Sequence, residues 1–344
     1  MHHRHAPTSL ALAADTATAR VATSPAAPPQ RPVVVATAAP APPPVRPGIG
    51  VTIYGDLPRD IDRARDAIHE CDLVTLHTAA DPSDTRNAAL VRQINPAARV
   101  WLAIPANYLV RVANEKGIEA AAHEAERVAR TALDMGAEVL EFNGEGQSDG
   151  KKPGDWIPEN PAEAVRLARL AVALLEAARA VLGSRCALAW TSHDMPGFRL
   201  PWGEILSRVD LHAPQHYPAM EGRLATQRDL ERRIATSQGR WEALAERGDV
   251  PASVVPHGAA WTPYGQAWGT STGAMAWLLC EAPVVRLWAF PGSWDPRAIT
   301  ALRAARAIRE AVGYGPEAIE TWQRAHGLAV DGYVGPATLS SLRV

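Results

Sequence analysis

From residue 48 to residue 312 the chain alternates short apolar runs with longer segments whose apolar positions recur every three or four residues. The first pattern is that of buried strands and the second that of amphipathic helices. The apolar runs fall at residues 50–54, 73–78, 100–105, 138–143, 186–191, 209–215, 253–257 and 285–290. Helical periodicity occupies 59–71, 85–94, 118–135, 162–182, 203–209, 228–247, 273–280 and 296–312. Gly136 and Gly183 punctuate helix ends, and Asp84 and Asp295 stand where N-caps are expected. Eight strand–helix pairs in roughly 265 residues fit an α/β chain folded as a (β/α)8 TIM barrel, whose usual size is about 250 residues. An open doubly wound sheet is the alternative, but no GxGxxG follows the first strand. Gly48-Ile49-Gly50 lies before or within that strand instead.

In a barrel the chemistry gathers at the C-terminal strand ends. Read off the pattern, those ends carry Tyr54 and Asp56, His77 and Thr78, Asn107 and Tyr108, and then Glu141, Asn143 and Glu145. Beyond them come Trp190, His193 and Asp194, then Gln215, His216 and Tyr217, His257 and Trp261, and Trp288 and Trp294. Carboxylates, amides, imidazoles and indoles in one ring suit a sugar, gripped by hydrogen bonds and by stacking on its apolar faces. Each has a plainer alternative: the tryptophans as packing residues, Asp56 and Asp194 as helix caps. The row of greatest interest is the fourth. Residues alternate along a strand, so Glu141, Asn143 and Glu145 share one face while Leu140 and Phe142 take the other.

Composition narrows the function. With 344 residues and 47% hydrophobic content the chain can bury a large core. A formal charge of -2 gives no general basic surplus for nucleic acid or an anionic membrane, and no nucleic-acid or membrane partner is expected. Cys71, Cys186 and Cys280 are widely spaced in apolar surroundings, which points to core filling. His77, His193, His216 and His257 form no HExxH-type motif, so no metal is assigned and no cofactor is implied. Residues 1–47 are rich in Ala and Pro and end in Ala39-Pro40-Ala41-Pro42-Pro43-Pro44, the composition of a disordered or polyproline-like arm. No basic segment with an apolar core and cleavage site opens the chain, so synthesis in the cytoplasm without a signal peptide is expected.

The fourth strand, a glycine-led apolar run presenting Glu141, Asn143 and Glu145, resembles the DxDxE signature of family 18 glycoside hydrolases, the chitinase-like enzymes. The segment 209–217, ending in Gln215-His216-Tyr217, resembles that family's sixth strand. Residues 285–288, ending in Trp288, resemble its eighth. The resemblance implies hydrolysis with retention, in which the substrate's own acetamide attacks the anomeric carbon, outside the usual two-carboxylate scheme. It makes Glu145 the general acid, Asn143 the residue that orients the acetamide, Tyr217 the group holding its oxygen, and Trp288 the floor of the sugar site. Gln215, Trp190, His77, Asp194 and Trp261, taken from the ring of strand ends, complete the expected substrate-binding set. Asn143 stands where the family has an aspartate, and an amide can orient the acetamide but cannot offset its developing positive charge. Glu141 is the candidate that compensates, or is itself the acid if the strand ends earlier.

A second resemblance lies at the C-terminus. Thr321-Trp322-Gln323-Arg324-Ala325-His326-Gly327-Leu328 followed by Val330-Asp331-Gly332-Tyr333-Val334-Gly335-Pro336 is similar to the repeat of small helical peptidoglycan-binding domains. The residues themselves give an amphipathic helix carrying Ile319 and Trp322, an Asp-Gly turn and a short Pro-led helix. One helix of the usual module is missing, and a fragment of about 30 residues cannot hold its own core. It is therefore expected to dock on the barrel, its first helix either absent or supplied by the barrel's last helix at 296–312. The division reads as an arm (1–47), a glycosidase-like barrel (48–313) and a partial peptidoglycan-binding domain (314–344). The implied partner is peptidoglycan or another N-acetylated polysaccharide, reached by phage-type lysis or as part of an injection particle through the arm. Two alternatives stand beside it: a muramidase with a Glu141/Glu145 pair, and a barrel that binds carbohydrate without cutting it.

Overall fold

A computed structural model of the chain describes residues 45–54, 64–78, 83–144, 156, 158, 160–193, 200, 202–216, 223–250, 264–266, 270–289 and 296–342. All belong to one compact unit, Ala39–Val344. The predicted arm, apart from Val45, Arg46 and Pro47, lies outside the described residues.

Eight parallel strands pair each with the next, and the eighth closes on the first, so the barrel is closed and the open-sheet alternative is excluded. The strands are β1 (Gly48–Tyr54), β2 (Leu73–His77), β3 (Arg99–Pro105), β4 (Val139–Asn143), β5 (Ala187–His193), β6 (Leu211–His216), β7 (Tyr264–Gln266) and β8 (Val284–Ala289). Around them run α1 (helical residues 64–69), α2 (Ser83–Ile94), α3 (Ala106–Lys116), α4 (Ile118–Asp134), α5 (Pro161–Leu182) and α6 (Trp202–Leu206). They are followed by α7 (Gln227–Glu246), α8 (Thr272–Glu281) and α9 (Pro296–Val312). None of these is long and apolar enough to cross a membrane.

Two elements depart from the pattern reading. The seventh strand is Tyr264–Gln266, not 253–257, which lies outside the described residues. Three residues, one of them glycine, give no apolar run to find, and the strand exists because β6 and β8 hydrogen-bond it on both sides. The second departure is α3, which begins directly after β3 at Pro105 and buries Leu109, Val110 and Ala113, spaced for one helical face. Asn107 and Tyr108 are therefore helix residues rather than strand-end residues, and the Tyr108 hydroxyl donates to Glu124 of α4 at 3.0 Å. Asp84 likewise lies inside the first turn of α2 and takes a hydrogen bond from Thr78, so it is no N-cap.

Strand alternation sorts the core into two. Val51, Leu76, Leu102, Leu140, Phe142, Leu188, Trp190 and Leu287 face outward onto the helices and form the main apolar core. Leu73, Trp101, Val139, Ala187, Ala189, Leu211 and Val284 fill the lower half of the barrel's interior, and Val45 packs beneath them. The entry to β1 is held there by Arg99, which donates to the carbonyls of Arg46 (2.6 Å) and Pro47 (2.9 Å) and pairs with Glu138. The three cysteines are buried and free, and burial raises their thiols, those of Cys186 and Cys280 to about 12.

After α9 come α10 (Ala318–Ala325) and α11 (Pro336–Ser341). Ala318, Ile319, Trp322, Val334 and Leu342 belong to the same core as the barrel's outer layer, and α10 packs on α8 and α9. The C-terminal segment is thus docked on the barrel's outer layer, against α8 and α9.

Candidate active site

The interior above the apolar layer is polar, and β4 shows why. Val139, Glu141 and Asn143 point inward in sequence, one per level. Leu140 and Phe142 point out into the helix layer. At the middle level Glu141 is 1% exposed and its Oε2 lies 2.6 Å from Nη1 of Arg286, which is 0% exposed and comes from β8 on the opposite wall. Thr191 of β5 donates its hydroxyl to Glu141 Oε1. Arg286 donates to Thr75 Oγ1 of β2 at 2.9 Å, and its guanidinium lies 4.5 Å from the ring centre of Trp101. A carboxylate and a guanidinium sealed from water are tolerable only when paired and hydrogen-bonded, and this set does both.

This arrangement corrects the sequence reading of Glu141. Its carboxylate belongs to a buried clamp below the strand ends. It is neither exposed to act as an acid nor free to supply unbalanced negative charge. Arg286, Thr75 and Thr191 did not figure among the expected site residues, yet Arg286 leaves a trace in the sequence: a lone charge in Val284-Val285-Arg286-Leu287-Trp288 demands a buried partner.

At the upper level the amide nitrogen of Asn143 lies 3.3 Å from Nε2 of His77, at the end of β2, and both side chains are buried. Burial, reinforced by the positive Arg286 below and opposed by a hydrogen bond to its own backbone, lowers His77 to about 4. The imidazole is therefore neutral at pH 7, and with its proton on Nδ1 the Nε2 atom accepts from Asn143. That bond sets the amide, nitrogen toward β2. Gln215 joins this level from β6 and is also buried.

Not every expected residue reaches this site. Trp190 points away from the interior, fully buried edge-on against Trp156 at 5.1 Å and beside Phe142, so its role is packing. Its ring also lies on Gly144: a Cβ there would sit 2.3 Å from Trp190 Cζ2. The residue just before Glu145 must therefore lack a side chain. His216 faces outward too, lowered to about 3 by burial, with Arg233 and His212 adding to the effect. His212 in turn meets the Ser192 hydroxyl at 2.8 Å and the Trp241 ring at 4.5 Å. Glu145, Asp194, Tyr217 and Trp261 lie outside the described residues, as does the side chain of Trp288. So do Asp56, His257 and Trp294. Among the described residues no three His, Cys, Asp or Glu side chains converge as a metal site.

Comparison with known proteins gives one family match: residues 316–342 fit the model described as "Putative peptidoglycan binding domain". No curated protein matches the chain. Among solved structures, the chain is similar to a GH18 chitinase from Pseudoalteromonas aurantia, with 9% identity and a TM-score of 0.48 over 75% of this chain and 99% of that one. It is similar to a GH18 chitinase from Flavobacterium johnsoniae, with 8% identity and a TM-score of 0.46 over 75% and 94%. A third is a GH18 chitinase from Cycas revoluta in complex with (GlcNAc)3, with 13% identity and a TM-score of 0.43 over 64% and 68%.

Proposed function

We propose that the chain is a glycoside hydrolase acting on N-acetylated glycan, peptidoglycan first, with Glu145 as its general acid. The observation that carries this reading is the inner face of β4. Glu141 is neutralised by Arg286, and Asn143 is held by neutral His77 at the strand end. Glu145, two residues further on in the same row, is the carboxylate this reading assigns as the acid. In this reading Asn143, oriented by His77, aligns the acetamide, Tyr217 holds its oxygen, and the acetamide attacks as Glu145 protonates the glycosidic oxygen. The C-terminal match to a peptidoglycan-binding model supports the choice of substrate. A paired Glu141/Glu145 muramidase loses its first member to Arg286.

A second reading, a barrel that binds glycan without cutting it, is favoured by one observation: two neutral groups, Asn143 and His77, stand where a developing cation would need a charge. Turbidity of purified walls and release of reducing ends separate the two. Wild type clears walls, and Glu145→Gln loses about 10²–10⁴ in rate, the usual contribution of a general acid. Wild type that sediments with walls and releases no reducing ends would establish the binding reading.

A further inference from the structure

We infer that the peptidoglycan-binding-like repeat is a fixed part of the barrel's catalytic face, bracing the chain where it returns from β6 and β7, with Gln227 and Gly273 as positioning residues. Its catalytic consequence rests on the hydrolase reading above.

In a (β/α) barrel each helix begins on the face where the strands end, so the first turns of α7 and α8 form part of that rim. The two returns are tied to each other: Ala225 bridges Thr270, and Ser271 N–H donates to the Ala225 carbonyl at 2.9 Å. Both helices are capped there. Thr226 and Asp229 make a reciprocal capping box on α7, and Ser271 accepts from Ala274 N–H on α8.

The repeat grips this rim directly. The side chain of Gln227, the first residue of α7, donates to the Gly332 carbonyl at 2.8 Å and accepts from Val334 N–H at 3.2 Å. Using both ends of one buried amide fixes register as well as distance. Gly273, in the first turn of α8, leaves room for the same segment, because a Cβ there would lie 2.0 Å from the Val334 carbonyl oxygen. From the other side Gln323 of α10 donates to Asp331 Oδ1 (2.7 Å) and the Tyr333 carbonyl (2.9 Å). Its oxygen accepts from Asp331 and Gly332 N–H at 3.0 Å each. Residues 331–334 are thus pinned between two buried amides, one from the repeat and one from the barrel. A swinging wall anchor would have to break this clamp and expose Ile319 and Trp322.

The test uses the full chain with Gln227→Leu, which removes both bonds, Gly273→Ala, which wedges the contact, and Gln227→Glu, which keeps only the acceptor. Hydrogen exchange is expected to quicken about tenfold or more, the scale of one to two hydrogen bonds. It should do so together at residues 331–334, 225–230 and 270–275, and no less in Gln227→Glu, whose carboxylate would face the Gly332 carbonyl and Glu231. kcat on a soluble N-acetylated oligosaccharide falls in the same variants, while sedimentation with insoluble walls changes little. Faster exchange confined to 331–334 would overturn the brace, as would opening of all three segments with kcat unchanged. If wild type proves inactive the hydrolase reading fails, and calorimetric affinity for the same oligosaccharide replaces kcat: a tenfold weaker Kd in Gln227→Leu upholds the brace, and an unchanged one refutes it.

Discussion

Arg286→Met is the sharpest perturbation of the barrel. It removes the guanidinium that lies 2.6 Å from Glu141 and 2.9 Å from Thr75, and leaves a carboxylate sealed in the interior with the Thr191 hydroxyl as its remaining partner among the described residues. Breaking a buried pair from one side costs about 3–5 kcal/mol, because the surviving charge keeps its desolvation penalty and loses its partner. For a domain of this size that is a fall in Tm of roughly 6–20 °C. Glu141→Leu leaves the buried Arg286 charge without its carboxylate and should cost a similar amount. The double variant removes both charges and leaves only the two threonine hydroxyls short of a partner, so its cost should be about 2 kcal/mol. Urea unfolding followed by tryptophan fluorescence on the four proteins closes the cycle. A coupling of about 3 kcal/mol or more is expected, at the top of the range for contacting residues. Strictly additive costs, or single variants within about 1 kcal/mol of wild type, would refute the claim that β4 and β8 are clamped through this pair.

Other expectations follow from the same geometry. His77 and His216 are held neutral, at about 4 and about 3, so between pH 6.5 and 4 the unfolded chain takes up protons that the folded chain refuses, and stability falls. From pH 7 to pH 5 each imidazole removes about 2 kcal/mol. Glu281, raised by burial to about 7, binds its proton first in the folded state and returns up to about 2 kcal/mol. Wild type should therefore lose about 2 kcal/mol and Glu281→Gln about 4 in urea titrations at the two pH values. Gly144→Ala drives a methyl into the Trp190 ring and should cost about 1–3 kcal/mol, recovered in part by Trp190→Leu; an unshifted Tm would show that the ring is not fixed. Gln323→Ala leaves the N–H groups of Asp331 and Gly332 without their acceptor, and should open residues 326–335 to hydrogen exchange by about 1–3 kcal/mol.

The strand–helix alternation was readable because each core strand is a run of apolar residues and each helix carries one buried face. Pro296–Val312 falls where its periodicity puts it. What escaped reading is held by neighbours instead of by pattern. Tyr264–Gln266 has no apolar run, and α3 follows β3 with no loop to announce it. The site shows the same division. Period-two alternation is enough to put Glu141 and Asn143 on one face, since it is a local property of β4. It cannot say that Glu141 meets an arginine 145 positions later in the chain, because only closure of the barrel brings β8 opposite β4. Trp190 was misplaced for a related reason: its position near a strand end suggested the mouth, whereas its parity, shared with Leu188, sends it to the helix layer.

Asn143 becomes intelligible in this setting. An aspartate there would place a second carboxylate one level above Glu141, whose charge is already matched by Arg286, and directly against His77. The imidazole would then be drawn toward its charged form, and a buried neutral level would become a buried ionic one. With asparagine, the level is joined by a hydrogen bond between neutral groups and costs no charge desolvation. The amide thus fits a barrel whose interior balances its charge one level down and leaves Glu145 as the remaining carboxylate of the row. On the hydrolase reading proposed above, the reaction takes its orientation from Asn143 and His77 and its proton from Glu145. Charge stabilisation of the acetamide would have to come from outside β4, and that demand is what separates a slow hydrolase from a barrel that only binds.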